Sequence, residues 1–448
     1  MYVRDPVHGL VTFETDEEQI VPRLLATPEV QRLRRIRQLG LTCLAFPGAE
    51  HTRFAHALGA AHVMQLLVAR LRRIDGELPF WQRLTSDRAR DAIAAALLHD
   101  VGHGPLSHLF EEAVAGFGDR IPDHEQWTER ILLDPSTGVH RVLAQHDPEL
   151  PRRAAELVHG RHELPYLAHA VSGTFDVDRC DYLLRDAHAT GARYGEFDLH
   201  WLLRSLRFGQ HATGEPPGLA IDGTKGLSAI ESFVLARLFM FQQIYFHKAT
   251  RAAEWMIRTI FSRAIRLLRD GGRLPTLPAA LRAFAVGDAP SVADYLNLDD
   301  HLVMHTIATW QDASDPVLAD LCRRLRGRQL FKSVELFAEE AEPARREAAR
   351  ETVAELAREA GLDAEIYTGL DVADDVPYGD DESLRVLFPR GPARRPAEVS
   401  FVLGRLRGER LTRARVVFAP ELRDRVRQVL WGGDPGAGDA RGTLAVER

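Results

Sequence analysis

Seven of the 19 histidines fall between His51 and His124, and one stretch among them carries the chemistry: Ala94-Ala-Ala-Leu-Leu-His-Asp-Val-Gly-His-Gly-Pro-Leu-Ser-His108. An apolar run too dense for a surface helix ends in the adjacent pair His99-Asp100. An imidazole and a carboxylate delivered side by side at the end of a buried element suggest metal ligation. Two further segments supply partners: His51-Thr-Arg-Phe-Ala-His56 before it and Asp176-Val-Asp178 after it. His56, His99, Asp100 and Asp178 together make a set of two nitrogens and two carboxylates. Such a hard, mixed set suits Mn, Fe, Mg or Zn with positions left open for water and substrate. Cys43, Cys180 and Cys322 are far apart, which excludes a disulfide framework or a thiolate zinc site and fits a reducing cytosol.

These residues need helices to hold them. Helical spacing predicts a long helix over residues 51–73 and another, capped by Ser86 or Asp87, running to Asp100. Pro105 is expected to start a third helix carrying His108 and Glu111, and residues 124–133 a fourth. Residues 17–39 read as helix broken at Pro28, with Arg32, Arg34, Arg35 and Arg37 around a solvated face or an anion contact. Two strands, 203–208 and 218–222, form a small hairpin, and 227–269 is strongly helical. After residue 335 the composition shifts to a Glu/Ala/Arg-rich helix, then candidate strands at 364–368, 384–388 and 414–418 and a helix at 420–430. The expected fold is mostly α: a helical core with a small β-hairpin over 1–335, a small α+β domain over 336–431 and a disordered Gly-rich tail over 432–448.

The series Asp5-Pro-Val-His-Gly9, Gln31-Arg-Leu-Arg34, Gln38-Leu-Gly40, Phe46-Pro-Gly-Ala-x-His-x-Arg-Phe-x-His56, Leu98-His-Asp-x-Gly-His-Gly-Pro-x-Ser-His108, His124-Glu125, Asp176-Val-Asp-x-x-Asp-Tyr182 and Tyr245-Phe-His-Lys248 resembles the HD-domain metal-dependent phosphohydrolases, in particular their deoxynucleoside triphosphate triphosphohydrolase branch. The resemblance runs in register over about residues 1–335. It implies His56, His99, Asp100 and Asp178 as ligands of a divalent metal. It implies Arg53, His103, His108 and His124 as catalytic or phosphate-contacting residues, with Glu111 orienting His108 as general acid. The family usually has Asp where Glu111 stands, one methylene shorter. Arg179, Tyr182, Asp186, Arg237 and Tyr245 match substrate contacts, Tyr245 beside the sugar. Arg34, His247, Lys248, Arg328 and Lys332 match a regulatory nucleotide site between subunits. Ala26 stands where regulated vertebrate members have an Asp that reads guanine, so GTP is not expected to activate through that subsite.

The resemblance thus implies hydrolysis of dNTPs to deoxynucleoside and inorganic triphosphate by a homo-oligomer, dimer or tetramer. The alternatives are another HD-type phosphohydrolase or phosphodiesterase, acting on oligonucleotides, cyclic nucleotides or alarmones, and a non-catalytic nucleotide-binding protein. With 57 Lys and Arg against 64 Asp and Glu, the formal net charge of −7 makes nucleic acid a secondary partner at most. The apolar runs are shorter than a bilayer span, so a cytoplasmic protein with no membrane contact is expected.

Overall fold

The centre of the structure, a computed structural model, is a pair of buried antiparallel-packed elements: the helix Arg53–Ile74 and the helix Ser86–Leu98. It describes all residues except 116–120, 174, 211–216, 380–383 and 432–448. The expected tail and the turn of the hairpin therefore lie outside the described residues. With 59% of residues helical and 11% in strands, the mostly-α expectation holds.

The run Ala92–Leu98 is buried on all sides, which is why it is apolar without amphipathic spacing. Its cap is Thr85, whose side chain accepts from the Arg88 amide; neither Ser86 nor Asp87 serves. The helix ends at Leu98, so His99 and Asp100 sit just beyond it on the turn that follows. The expected start at Pro105 is displaced: Leu106 and Ser107 have φ of 59° and 63°, and the helix begins only at His108. Two successive non-glycine residues in left-handed backbone are costly, and such strain gathers at functional sites. Asp123 and Gln126 form a reciprocal capping box that opens the helix His124–Leu133. Asp176 caps the helix Val177–Thr190, which Gly191 terminates in left-handed conformation.

The region expected as helix over 17–39 breaks into short pieces, Ile20–Leu25, Pro28–Arg32 and a 3-10 turn, Leu33–Arg35. The long helical region from 227 is interrupted as well: Leu227–Met240 passes into a π-helical turn, Phe241–Tyr245, before Lys248–Arg269. That π turn carries Tyr245. By length and composition Arg53–Ile74 and Leu227–Tyr245 are apolar enough to cross a bilayer, contrary to the run-length reading. Both carry residues of the polar cleft described below, and the first is buried in the core.

Among the described residues eight strands make three small sheets. β1 (Tyr2–Asp5) and β2 (Gly9–Thr12) form an N-terminal hairpin. β3 (Leu206–Gly209) and β4 (Gly218–Asp222) form the expected antiparallel hairpin. β5 (Lys332–Leu336), β8 (Leu411–Phe418) and β6 (Thr368–Asp375) form an antiparallel sheet in the order β5-β8-β6, over its own small apolar core with the helix Pro343–Glu359. Three sequence expectations change here. Residues 364–367 are a helical turn, and the strand follows at Thr368. β7 (Arg385–Leu387) does not join the C-terminal sheet but pairs in parallel with β4. The expected boundary at 335/336 falls inside β5, because Val334 and Leu336 both face the C-terminal core.

Candidate active site

Two histidine clusters meet in one cleft. In the first, His56 Nε2 lies 2.9 Å from Asp178 Oδ1 and 3.2 Å from His99 Nε2. Asp178 Oδ1 is 3.4 Å from His99 Nε2, and Asp100 closes the group at 3.3 Å from His99 and 3.6 Å from His56. The other ring nitrogens are engaged: His56 Nδ1 with Asp181 at 2.8 Å, His99 Nδ1 with the Ala96 carbonyl at 2.9 Å. Each Nδ1 therefore carries a proton, so that each Nε2 is the nitrogen left to face either a proton or a cation beside Asp178. Burial disfavours an imidazolium at His56, yet Asp178, Asp181 and Asp100 outweigh it and push its pKa up to about 10. Carboxylates that hold this imidazole charged call for a cation at this point, and a divalent metal could take the place of that proton on the Nε2 atoms.

Asp181, fully buried, was not singled out by sequence reasoning. It accepts from His56, from His8 Nε2 at 2.6 Å and from Arg185 at 2.8 and 2.9 Å, and Arg185 also binds Asp5 at 2.8 Å. The motif Asp5-Pro-Val-His-Gly9 thus braces His56 from behind, through Asp181 and Arg185. A Cβ on Gly59 would come within 1.9 Å of Asp181 Oδ1, so only glycine admits this carboxylate beside the Arg53–Ile74 helix.

The second cluster holds His103, His108, Glu111 and His124. His103 and His124 stack at 4.0 Å. Glu111 Oε2 is 3.0 Å from His124 Nδ1 and 3.9 Å from His108 Nδ1. Glu111 thus meets both histidines, holding His124 at hydrogen-bond distance and His108 only at ion-pair distance. The left-handed turn puts His108 at the helix start with its side chain 63% exposed, so Glu111 reaches it less closely than it reaches His124. Burial lowers the pKa of His124, but Glu111 reverses this and raises it. His103 is held neutral by burial and by the Arg53 charge. Its Nδ1 and Glu111 Oε1, 3.6 Å apart, are buried without hydrogen-bond partners, as is Arg53 Nε. Arg53 bridges the clusters, donating to Asp100 and to Ser107 Oγ.

Both clusters line a cleft of about 480 Å³ whose far wall holds Arg179, Tyr182, Asp186 and Tyr245. Asp186 is clasped by Tyr245, whose hydroxyl donates at 2.8 Å, and by His51 at 2.7 Å. Thr250 and Glu254, unremarked in the sequence, also line it. Arg237 does not. Its guanidinium is 3.1 Å from Asp375 at the end of β6 and donates to the Pro377 carbonyl. Of the expected regulatory residues, Arg328 donates to the Leu44 carbonyl and His247 packs on Phe46, so both meet the 44–46 turn. Arg34 stacks on Phe54, and Lys248 and Lys332 are exposed.

Residues 53–186 match the HD domain and residues 197–272 the HD associated region. YwfO of Bacillus subtilis, an uncharacterized protein, is 33% identical over 446 residues, covering 95% of this chain and 96% of that one. The chain belongs to the HD-domain phosphohydrolase family. A phosphohydrolase from Bacteroides thetaiotaomicron superposes with a TM-score of 0.76 at 26% identity, over 93% of this chain and 99% of that one. The human deoxynucleoside triphosphate triphosphohydrolase SAMHD1 is 27% identical over 374 residues, which is 74% of this chain and 54% of that enzyme. The family match spans the helices that carry both histidine clusters, and the HD associated region contains the hairpin β3–β4 and Tyr245.

Proposed function

We propose that this HD-domain phosphohydrolase cleaves deoxynucleoside triphosphates to deoxynucleoside and inorganic triphosphate. The observation that carries the reading is a single cleft of nucleotide size with a histidine-carboxylate cluster at one end and the Tyr182, Tyr245 and Asp186 wall at the other. Likeness to SAMHD1, whose name states that reaction, supports it. Tyr245, fixed by Asp186, would by that likeness pack beside the sugar and disfavour a 2′-hydroxyl.

His56, His99, Asp100 and Asp178 would hold the divalent ion, Mn, Fe, Mg or Zn, which supplies Lewis acidity toward phosphate and water. Arg53, tethered by Asp100 and Ser107, offers its free Nε to a phosphate oxygen. Neutral His103 contributes a hydrogen bond without adding charge. The proton for the departing 5′-oxygen comes from the His108–His124–Glu111 group, in which Glu111 holds an imidazole charged. Arg179, Tyr182 and Asp186 orient the nucleoside. Arg34, His247, Lys248, Arg328 and Lys332 would take a regulatory nucleotide between subunits of a cytoplasmic homo-oligomer.

Incubating the protein with each dNTP, singly and in pairs, with Mn or Mg, and resolving the products by ion-exchange chromatography tests this. Inorganic triphosphate is the expected product. Mononucleotide or pyrophosphate in its place would sink the reading and favour a phosphodiesterase of the same family.

A further inference from the structure

A groove of about 500 Å³ lies apart from the cleft and shares no lining residue with it. Four arginines from three elements converge on it: Arg70 and Arg73 from the last turns of the Arg53–Ile74 helix, Arg204 from the end of the helix Leu199–Arg204, and Arg207 from β3. Among the described residues its one lining carboxylate is Asp222. Asp222 Oδ1 already accepts from the Thr224 amide and hydroxyl, and Oδ2 is 3.8 Å from Arg207. Arg70 donates one N–H to the Leu206 carbonyl, while its Nε is buried without a partner. Among the described residues Arg73 and Arg204 have no hydrogen-bond or ion-pair partner. Burial and the charges of Arg204 and Arg73 lower the pKa of Arg70, the mark of mutual repulsion.

Neighbouring arginines behave otherwise. Arg72 pairs with Glu17, Arg88 with Glu163 and Arg90 with Asp87. Cations at a helix C-terminus are favoured by its dipole, which accounts for Arg73 and Arg204 singly. It does not account for Arg204 and Arg207 being brought to the same groove from other elements. In a chain of net charge −7, four guanidiniums facing one occupied carboxylate call for an anion.

We propose that this groove is a second anion site, which takes an oligophosphate chain, either as inorganic triphosphate or as the tail of a nucleotide. Four guanidiniums spread over this volume exceed what one phosphate can engage. The lining offers no exposed aromatic platform, since Phe208 is buried, so a single-stranded nucleic acid has nothing to stack on. The assignment does not depend on the reaction catalysed in the cleft.

Isothermal titration of the full chain in EDTA, with inorganic triphosphate, a dNTP and a single-stranded oligonucleotide, tests it against the double variant Arg73→Gln/Arg204→Gln. Both residues are exposed, and relief of repulsion should leave the ligand-free melting temperature equal or higher, which verifies the fold. Loss of two guanidiniums should weaken triphosphate binding at least ~10-fold and reduce the slope of log affinity on log salt by about two. Equal affinity for triphosphate and dNTP identifies the inorganic chain as the ligand. A dNTP binding ~10-fold tighter identifies the nucleotide tail. Undiminished triphosphate binding by the variant, or a loss confined to the oligonucleotide, overturns the proposal.

Discussion

Replacing Asp181 with Asn separates the brace from the ligands it supports. The carboxylate accepts four hydrogen bonds, from His56, His8 and two from Arg185. An amide of the same shape has one accepting oxygen, so at least one of these donors must face an NH₂ group. If His56 is that donor, its Nδ1 proton loses its partner and the Nε2 lone pair is no longer assured. Disturbing such a supporting carboxylate costs about 10–100-fold in metal affinity, or ~1.4–2.7 kcal/mol. Separately, Arg185 keeps only Asp5, and breaking a buried pair costs about 3–5 kcal/mol of stability, less for an isosteric amide. A domain of ordinary stability, about 5–15 kcal/mol, survives that. The assay is chelator competition for Mn alongside thermal melting, with Asp5→Asn as control. That control also strips Arg185 of a partner but leaves His56 untouched. D181N should lose both metal affinity and melting temperature, and D5N mainly melting temperature. If folded D181N holds Mn as tightly as the parent, Asp181 does not set the His56 tautomer and the reasoning fails.

Other outcomes follow from the same geometry. Glu111→Gln removes the group that raises the His124 pKa; since activity needing protonated His124 is lost as pH rises through that pKa, the alkaline limb of the pH–rate profile should move to lower pH, with turnover down about 10²–10⁴-fold. An unmoved limb would exclude the Glu111-held imidazole as acid. Burial pushes Glu254 up to about 7 against the opposing charges of Arg251 and Arg258, Arg251 being shared with Asp371 at 2.6 Å. A raised folded pKa means stability is lost as pH rises from about 4.5 to 7, so Glu254→Gln should flatten that part of the stability curve by up to ~3 kcal/mol, read from urea midpoints at pH 5 and 8. Arg237→Ala and Asp375→Ala should each destabilise and be non-additive by about 0.5–3 kcal/mol in a double-mutant cycle; additivity would free Arg237 for the substrate role expected of it.

The mostly-α class, and the residues that converge as His56, His99, Asp100 and Asp178, were legible because they rest on local facts: an apolar run ending in His99-Asp100, and residue types that bind hard cations. What escaped the sequence depends on distance. Asp181 looks like one acid among several until His8 and Arg185 are folded onto it. The left-handed Leu106 and Ser107 carry no glycine to announce them, so Pro105 reads as a helix start and the closer partner of Glu111, His124, goes unseen. Arg237 lies two turns before Tyr245 on one helix, but its partner Asp375 arrives from a strand far along the chain. The three residues of β7 read as part of a C-terminal sheet because propensity says strand without saying which strand it pairs with.

That pairing bears on how the chain reaches its native state. Ala220 to Asp222 in β4 wait for Arg385 to Leu387, so one edge of the hairpin stays open until most of the polypeptide has been synthesised. Closing so long a loop is entropically slow, and contacts of high sequence separation retard folding. During that interval β4 offers an unpaired edge to other chains, an aggregation hazard that ends when β7 docks. The C-terminal third is thus an intramolecular guard for the nascent enzyme. Shortening the chain before residue 385 should raise the yield of insoluble protein even where the cleft residues are all present.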